Sequence, residues 1–330
     1  MPLYRLEAML LTCLAAAGCG LRARIAQKTD SVGAHVAAAT RAAGTEHTVL
    51  LDLCAAPEPA PPVARPRALE PPPPPPRSEW YVPPVKVFDN LYFVGERDYS
   101  AWAITTPAGI VVIDTLWEYS VEAEIVDGLR TLGLDPANIR YAVVSHAHID
   151  HAGGAKYLQD RFGVHVIMSA AEWDALALDP GHWTKPARDL VAVDGQQIAL
   201  GDETFTIYVT PGHTPGTLSM LIPVRDGGRP HMAAEWGGTG FNFTITADKP
   251  EKYWLAEYSK SAERFSRLAA RAGADVLISN HTELDGSRTK LAAVARRRST
   301  DPNPYVVGRQ SVANFLTVVD ECAKAASLRP

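Results

Sequence analysis

The chain has 330 residues, of which 46% are hydrophobic and 21% are charged, and its formal net charge is −5. This composition is ordinary for a globular protein, which argues against wholesale disorder and against a protein with many membrane spans. A negative net charge also argues against a broad basic face, so we expect no nucleic-acid partner.

The first residues resemble a secretory signal peptide. The apolar stretch 9–17 is too short to span a bilayer and ends in Ala16-Ala17-Gly18-Cys19, where small residues suit a signal-peptide cleavage site. Residues 1–19 are therefore predicted to be a signal peptide, and the protein to be periplasmic or secreted. Cys19 also resembles the lipobox cysteine of bacterial lipoproteins, so a lipid at Cys19 is the one membrane attachment that we consider. The alternative is a misassigned start codon.

Residues 20–79 are predicted to be a tether. They are rich in alanine and then in proline, and the run Pro71–Pro76 favours a semi-rigid polyproline II spacer. The folded part is then a single domain over residues 80–330, long enough to bury one substantial core. We expect Cys54 and Cys322 to be buried or free thiols, and a bridge between them is the alternative.

The predicted elements of this domain suggest two packed sheets with helices outside them, an α/β fold. Strands are predicted at 85–88, 91–94, 101–105, 109–113, 141–144, 164–168, 197–200, 204–209, 218–223 and 274–279, and helices at 120–132, 155–162, 262–272 and 310–326.

A histidine-rich motif follows the strand at 141–144. It reads His146-Ala-His148-Ile-Asp150-His151, and it lies in a chain with only ten histidines. Alternation along an extended chain places His146 and His148 on one side, where they can bind one ion together. Asp150 and His151 follow as the chain turns toward a helix, so they can face a second ion.

Two further histidines also come directly after apolar strands. His213 lies in Pro211-Gly-His-Thr-Pro-Gly216, and His281 follows the strand 274–279. Four donors from one loop do not complete two sites, so we expect these two side chains to be ligands as well. Nitrogen and oxygen donors of this kind favour zinc.

These motifs resemble those of the metallo-β-lactamase superfamily over about residues 85–284. The resemblance implies an αβ/βα four-layer sandwich with two zinc ions per chain at one rim. It implies that one zinc is held by His146, His148 and His213, and the other by Asp150, His151 and His281. Asp114, at the end of the strand 109–113, then matches an aspartate that braces the active-site loops.

Within the superfamily, the chain is most similar to the third subclass of class B β-lactamases. Position 148 is a histidine where di-iron oxidoreductases of this fold carry glutamate, and no cysteine lies between residues 213 and 281. The metal-bridging aspartate of lactonase-like members has no counterpart, because only Glu235 lies near the expected place.

The resemblance implies hydrolysis of a small-molecule substrate, a β-lactam antibiotic, by hydroxide generated at the zinc ions. Asp150 is then both ligand and catalytic residue. The segment after Glu235 departs from the lactamase pattern, and Trp236, Thr239 and Asn242 are predicted to bind substrate. The alternatives are a zinc hydrolase of a lactone, ester or thioester, or a metal-binding protein without turnover. The oligomeric state stays open.

Overall fold

The structure is a computed structural model that describes residues 30–55, 70, 73–298 and 300–330. The predicted signal peptide and most of the proline-rich segment lie outside the described residues. Among the residues that are described, no helix is both long enough and apolar enough to cross a membrane.

Two sheets form the centre of the molecule. The first has seven strands in sequence order, antiparallel from the first to the fourth and parallel from there on. Its strands are β1 Val85–Lys86, β2 Leu91–Phe93, β3 Trp102–Thr106, β4 Gly109–Ile113, β5 Ile139–Val143, β6 His165–Ser169 and β7 Leu190–Ala192. The second sheet has five strands in the order β12-β11-β10-β9-β8, and only β11 and β12 are parallel. Its strands are β8 Gln196–Leu200, β9 Glu203–Val209, β10 Leu218–Asp226, β11 Arg229–Trp236 and β12 Val276–Ser279.

Helices cover the outer face of each sheet. They are α1 Val32–Ala43, α2 Arg77–Trp80, α3 Asp127–Thr131, α4 Ile149–Ala152, α5 Ala155–Phe162, α6 Ala170–Leu178, α7 Glu251–Ala272, α8 Ser287–Ala295 and α9 Arg309–Ser327. Short 3₁₀ segments lie at Thr48–Cys54 and Pro136–Asn138, and a π-helical turn, Glu122–Val126, precedes α3.

Side chains alternate between a central core and two outer cores, which gives four layers. On β3, Trp102 and Ile104 face the other sheet, while Ala103 faces the helices α5 and α6. On β11, Ala233 faces the central core and Ala234 faces the helices α7 and α9. The predicted αβ/βα sandwich is confirmed.

The tether predicted for residues 20–79 is wrong for the part that the structure describes. Residues 30–55, which we call the strap, pack on the domain. Ala39, Ala43 and Leu50 are buried in one core with α7 and α9. A stretch rich in alanine suits close helix packing as well as it suits a spacer, and the sequence does not distinguish these uses.

The strap is also held by polar and covalent links to α9. The ring of His47 donates from Nε2 toward Ser311, whose hydroxyl bonds Glu46 at 2.7 Å. Cys54 and Cys322 form a disulfide across 268 positions of sequence. The expectation of free thiols is therefore wrong, because the packing of the strap on α9 brings the two sulfurs together.

We predict that Cys54→Ser combined with Cys322→Ser lowers the free energy of unfolding by about 2–4 kcal/mol, since the disulfide restricts the unfolded chain over a long loop. Urea unfolding monitored by circular dichroism checks this. Dithiothreitol should bring the wild-type protein to the same midpoint and leave the variant unchanged. Equal midpoints for the oxidised wild type and the variant would contradict it.

Candidate active site

The histidine-rich motif follows β5 at the rim of the first sheet. The segment from Ser145 to His148 is a series of bends that ends in an extended His148, and α4 then carries Asp150 and His151. Gly154 allows this loop to pass close to the chain at Thr115, because a Cβ there would lie 2.2 Å from the carbonyl oxygen of Thr115. This local geometry presents the two pairs of ligands to different points in space.

The first group of ligands is formed by His146, His148 and His213, whose ligand atoms lie within 4.8 Å of one another. The Nε2 atoms of His146 and His213 are 3.2 Å apart. The Nδ1–H of His146 donates to the carbonyl of Gly237 at 3.0 Å, and that of His213 donates to Gly240 at 2.9 Å. These bonds fix the tautomer, so both Nε2 lone pairs face the centre of the group.

The second group is formed by Asp150, His151 and His281, again with ligand atoms within 4.8 Å. The Nε2 atoms of His151 and His281 are 3.2 Å apart, and a carboxylate oxygen of Asp150 lies 3.3 Å from Nε2 of His151. The rings of His146 and His151 have centroids 4.3 Å apart, so the two groups are adjacent.

Asp114 joins the loops that carry these ligands. It is fully buried, accepts the Nδ1–H of His151 at 2.8 Å, and accepts both the backbone N–H and the hydroxyl of Ser145, at 2.7 and 2.9 Å. Its backbone φ is 57°, a left-handed conformation that is rare for a residue other than glycine. The bracing role implied for Asp114 agrees with these contacts.

Burial keeps most of the imidazoles neutral. Desolvation and neighbouring histidines lower the pKa of His213 to about 3 and that of His281 to about 4, and they hold the pKa of His146 well below its usual value. His151 differs, because Asp150 and Asp114 outweigh its desolvation and raise its pKa to about 10. Although burial opposes ionisation of Asp150, the surrounding imidazoles lower the pKa of its carboxyl far below the usual value. The site therefore offers neutral nitrogen donors at His146, His213 and His281 and a carboxylate at Asp150, while the proton on His151 would be lost when a cation binds.

Two pockets open beside the ligands. A cavity of about 880 Å³ adjoins His148 and Asp150, and a smaller one of about 290 Å³ adjoins His281. The walls of the large cavity are mostly apolar, with Ile149, Leu178, Trp183, Pro215 and Phe243 among them.

Comparisons with known proteins place this geometry in a family. The model of the metallo-β-lactamase superfamily matches residues 94–226. The solved structure of the Rm3 metallo-β-lactamase is 30% identical with a TM-score of 0.61, and the match covers 72% of this chain and 91% of that one. The chain belongs to the metallo-β-lactamase superfamily.

Other members resemble it over different lengths. BJP-1, a subclass B3 metallo-β-lactamase of Bradyrhizobium japonicum, is 25% identical with a TM-score of 0.62, over 73% of this chain and 91% of that one. The N-acyl homoserine lactonase AttM of Rhizobium radiobacter is 32% identical over 29% of this chain. That match spans only 41% of the length of AttM. The β-lactamases and the lactonase among these matches are hydrolases, and the resemblance inferred from the motifs is confirmed.

The structure brings together all six predicted metal ligands but separates the three predicted substrate residues. Trp236 is only 1% exposed, and its ring packs on Tyr258 and Phe265 in the outer core. A role for Trp236 in binding substrate is therefore wrong, because alternation along β11 turns its side chain away from the ligands. Asn242 lines the large pocket, and Thr239 lines the small one.

Some residues that position the ligands cannot be recognised from the sequence. Glu172, on α6, accepts hydrogen bonds from the N–H of Ala147 and Gly216 and from the hydroxyl of Thr214, all at 2.6–2.7 Å. It thus ties the histidine-rich loop to the loop of His213. The ring of Tyr99 packs edge-on against His281, with centroids 5.3 Å apart. Glu172 and Tyr99 are single residues outside the histidine motifs, so only the fold shows that they lie beside the ligands.

Glu235 belongs to neither group of ligands. It is completely buried, and neither carboxyl oxygen has a hydrogen-bond partner among the described residues. Alternation on β11 turns it toward the space between the sheets. Burial, followed by the charge of Asp114, holds its pKa well above the usual value, so the neutral form is favoured.

We predict that Glu235→Gln leaves the metal content unchanged and removes a pH dependence of stability. Because the folded-state pKa exceeds that of the unfolded chain, the folded protein binds more protons, and its stability falls as pH rises above about 5. The unfolding free energy of the wild type should therefore fall relative to that of the variant as the pH rises above the range in which an ordinary glutamate ionises.

Urea unfolding at several pH values and elemental analysis check this prediction, with Glu79→Gln at an exposed glutamate as the control. A fall in metal content in Glu235→Gln would show that the side chain reaches the metal site. Parallel stability profiles for Glu235→Gln and the wild type would show that the carboxyl of Glu235 ionises freely.

Proposed function

We propose that this protein is a dinuclear zinc hydrolase that opens the amide of β-lactams. The observation that carries the proposal is the pair of adjacent ligand groups, three imidazoles in one and two imidazoles with a carboxylate in the other, beside a large pocket. His146, His148 and His213 would hold one zinc, and Asp150, His151 and His281 the other.

The residues present fit zinc in their chemistry. The donors are imidazole nitrogen and carboxylate oxygen, which zinc accepts, and three protein ligands leave a position open in each group. The Nδ1–H groups of His146, His151 and His213 are all bound to a carbonyl or a carboxylate, as is usual for imidazoles that ligate metal.

When zinc is bound, it supplies Lewis acidity and brings the pKa of water from 15.7 to about 7. Asp150 orients the attacking water and accepts its hydrogen bond, since its carboxyl stays ionised in this cluster. Asp114 keeps the ring of His151 fixed while charge develops in the site. The apolar wall of the large pocket excludes water and positions the rest of the substrate.

The choice of β-lactams rests on the ligand set. Lactonase-like members of the superfamily place a bridging carboxylate between the two metals, and Glu235, the one candidate, lies outside both groups of ligands. The structural similarity to Rm3 and to the subclass B3 enzyme BJP-1 also supports β-lactams.

A lactone, ester or thioester is the second candidate. N-acyl homoserine lactonases and hydroxyacylglutathione hydrolases are among the relatives. The large pocket is mostly apolar, and no lysine or arginine is among its described lining residues, which suits a neutral acyl chain.

We also propose that the protein works outside the cytoplasm. The Cys54–Cys322 disulfide supports this, because structural disulfides persist mainly in oxidising compartments. Fractionation of expressing Gram-negative cells tests it, and activity confined to the cytosol with an unprocessed N-terminus would refute it.

We predict that the zinc-loaded protein hydrolyses nitrocefin faster than an N-acyl homoserine lactone. Asp150→Ala should lower kcat/KM on the preferred substrate by at least about 10³-fold, because it removes both a ligand and the group that orients water. Initial rates with elemental analysis check this. Asp127→Ala, at an exposed aspartate that pairs with Arg130 and lines neither pocket, is the control. Faster lactone turnover would favour the second candidate, and two bound zinc ions with no turnover would favour a metal-binding protein.

We predict that Asn242→Ala lowers kcat/KM about 10-fold through the loss of one hydrogen bond to substrate. The side chain lines the large pocket and is not a ligand, so zinc content and Tm should stay at wild-type values. Wild-type kinetics on every hydrolysed substrate would show that Asn242 does not contact substrate.

A further inference from the structure

The small pocket beside His281 has walls from two distant parts of the chain. One wall comes from the strap, with Val49, Leu50, Asp52 and Leu53. The other comes from the loops around the metal site, with Thr239, His281, Glu283 and Leu284. The strap therefore reaches a metal ligand, although it precedes the domain predicted from the sequence.

The strap is held firmly enough to act as a wall. Leu50 is 1% exposed and Cys54 is 5% exposed, and Cys54 is bonded to Cys322 on α9. The guanidinium of Arg329 also donates to the carbonyl of Ala55 at 2.8 Å. Val49 and Leu53 remain partly exposed between these anchors, so their side chains are available to a bound molecule.

The second ligand group touches both pockets. Asp150 lines the large pocket, and His281 lines the small one. A substrate whose reacting bond lies at this group would extend into the large pocket on one side and toward the strap on the other.

The chemistry of the small pocket limits what it accepts. Its volume of about 290 Å³ suits a fragment rather than a whole ligand, and Val49, Leu53 and Leu284 give it an apolar part. The charged side chains that line it, Asp52 and Glu283, are both acidic, so a carboxylate there would be repelled. The hydroxyl of Thr239 has no hydrogen-bond partner among the described residues.

We propose that the strap is part of the active site, and that Val49 and Leu53 bind a small, apolar and uncharged group of the substrate beside His281. This assignment makes Leu53 a specificity-determining residue, and it rests on the proposed hydrolase function. The disulfide holds the wall in place.

The test compares Leu53→Ala with Leu51→Ala in the full-length, zinc-loaded protein. Leu51 is on the same 3₁₀ segment but does not line the pocket. Isothermal titration with two zinc-binding probes, benzohydroxamic acid and the smaller acetohydroxamic acid, gives a readout that does not need turnover. Leu53→Ala should weaken benzohydroxamate about 5–10-fold by removing apolar contact, leave acetohydroxamate unchanged, and raise KM more than it lowers kcat. Leu51→Ala should change none of these.

Two further measurements keep the result decisive. Elemental analysis and Tm establish that each variant is folded and loaded, and Val49→Ala replaces Leu53→Ala if the latter is unstable. Cys54→Ser with Cys322→Ser should weaken benzohydroxamate in the same direction. Unchanged benzohydroxamate affinity and unchanged KM in Leu53→Ala and Val49→Ala would overturn the proposal. If the wild type hydrolyses nothing, the proposed function fails while the titrations still test the wall.

Discussion

The carboxylate of Asp114 is the contact on which the metal site depends. This fully buried carboxylate accepts hydrogen bonds from the ring of His151 and from both the backbone N–H and the hydroxyl of Ser145. A buried carboxylate without these donors would raise the free energy of the folded state. The hydrogen bonds of Asp114 therefore keep the loops after β4 and β5 together. The left-handed backbone at Asp114 is the conformational cost of bringing its side chain to this position.

Loops from both sheets complete the site in the same manner. The carbonyls of Gly237 and Gly240, beyond β11, orient His146 and His213, and Glu172 ties the loops of these two ligands to each other. Gly237 and Gly238 allow this approach, since a Cβ at Gly238 would lie 2.6 Å from that of His213. The Trp-Gly-Gly-Thr segment that departs from the lactamase pattern is therefore first of all a support for the histidines, and the aromatic ring within it belongs to the core.

The strap changes the boundaries of the functional unit. Its residues pack on α9, carry half of a disulfide and line a pocket at His281. The folded unit therefore begins well before residue 80, and the part of the chain with no chemical motif contributes to the shape of the site. The strap shapes the site through apolar side chains. A search of the sequence for ionisable or nucleophilic residues does not find such side chains.

The sequence alone indicated the family, the layered fold and the six side chains that form the two groups of the site. Strand ends bring their following residues to one rim, and histidines directly after apolar strands are too specific a pattern to arise from packing. Only the tertiary structure decided what happens between distant segments. The side of β11 that Trp236 and Glu235 face follows from register against β10 and β12, which local periodicity does not fix for a strand that is partly polar. The pairing of Cys54 with Cys322, and the placing of the strap beside His281, follow from helix packing across most of the chain. Contacts between residues so far apart in sequence leave no local pattern, because they depend on how the side chains pack and not on the spacing of residues along the chain.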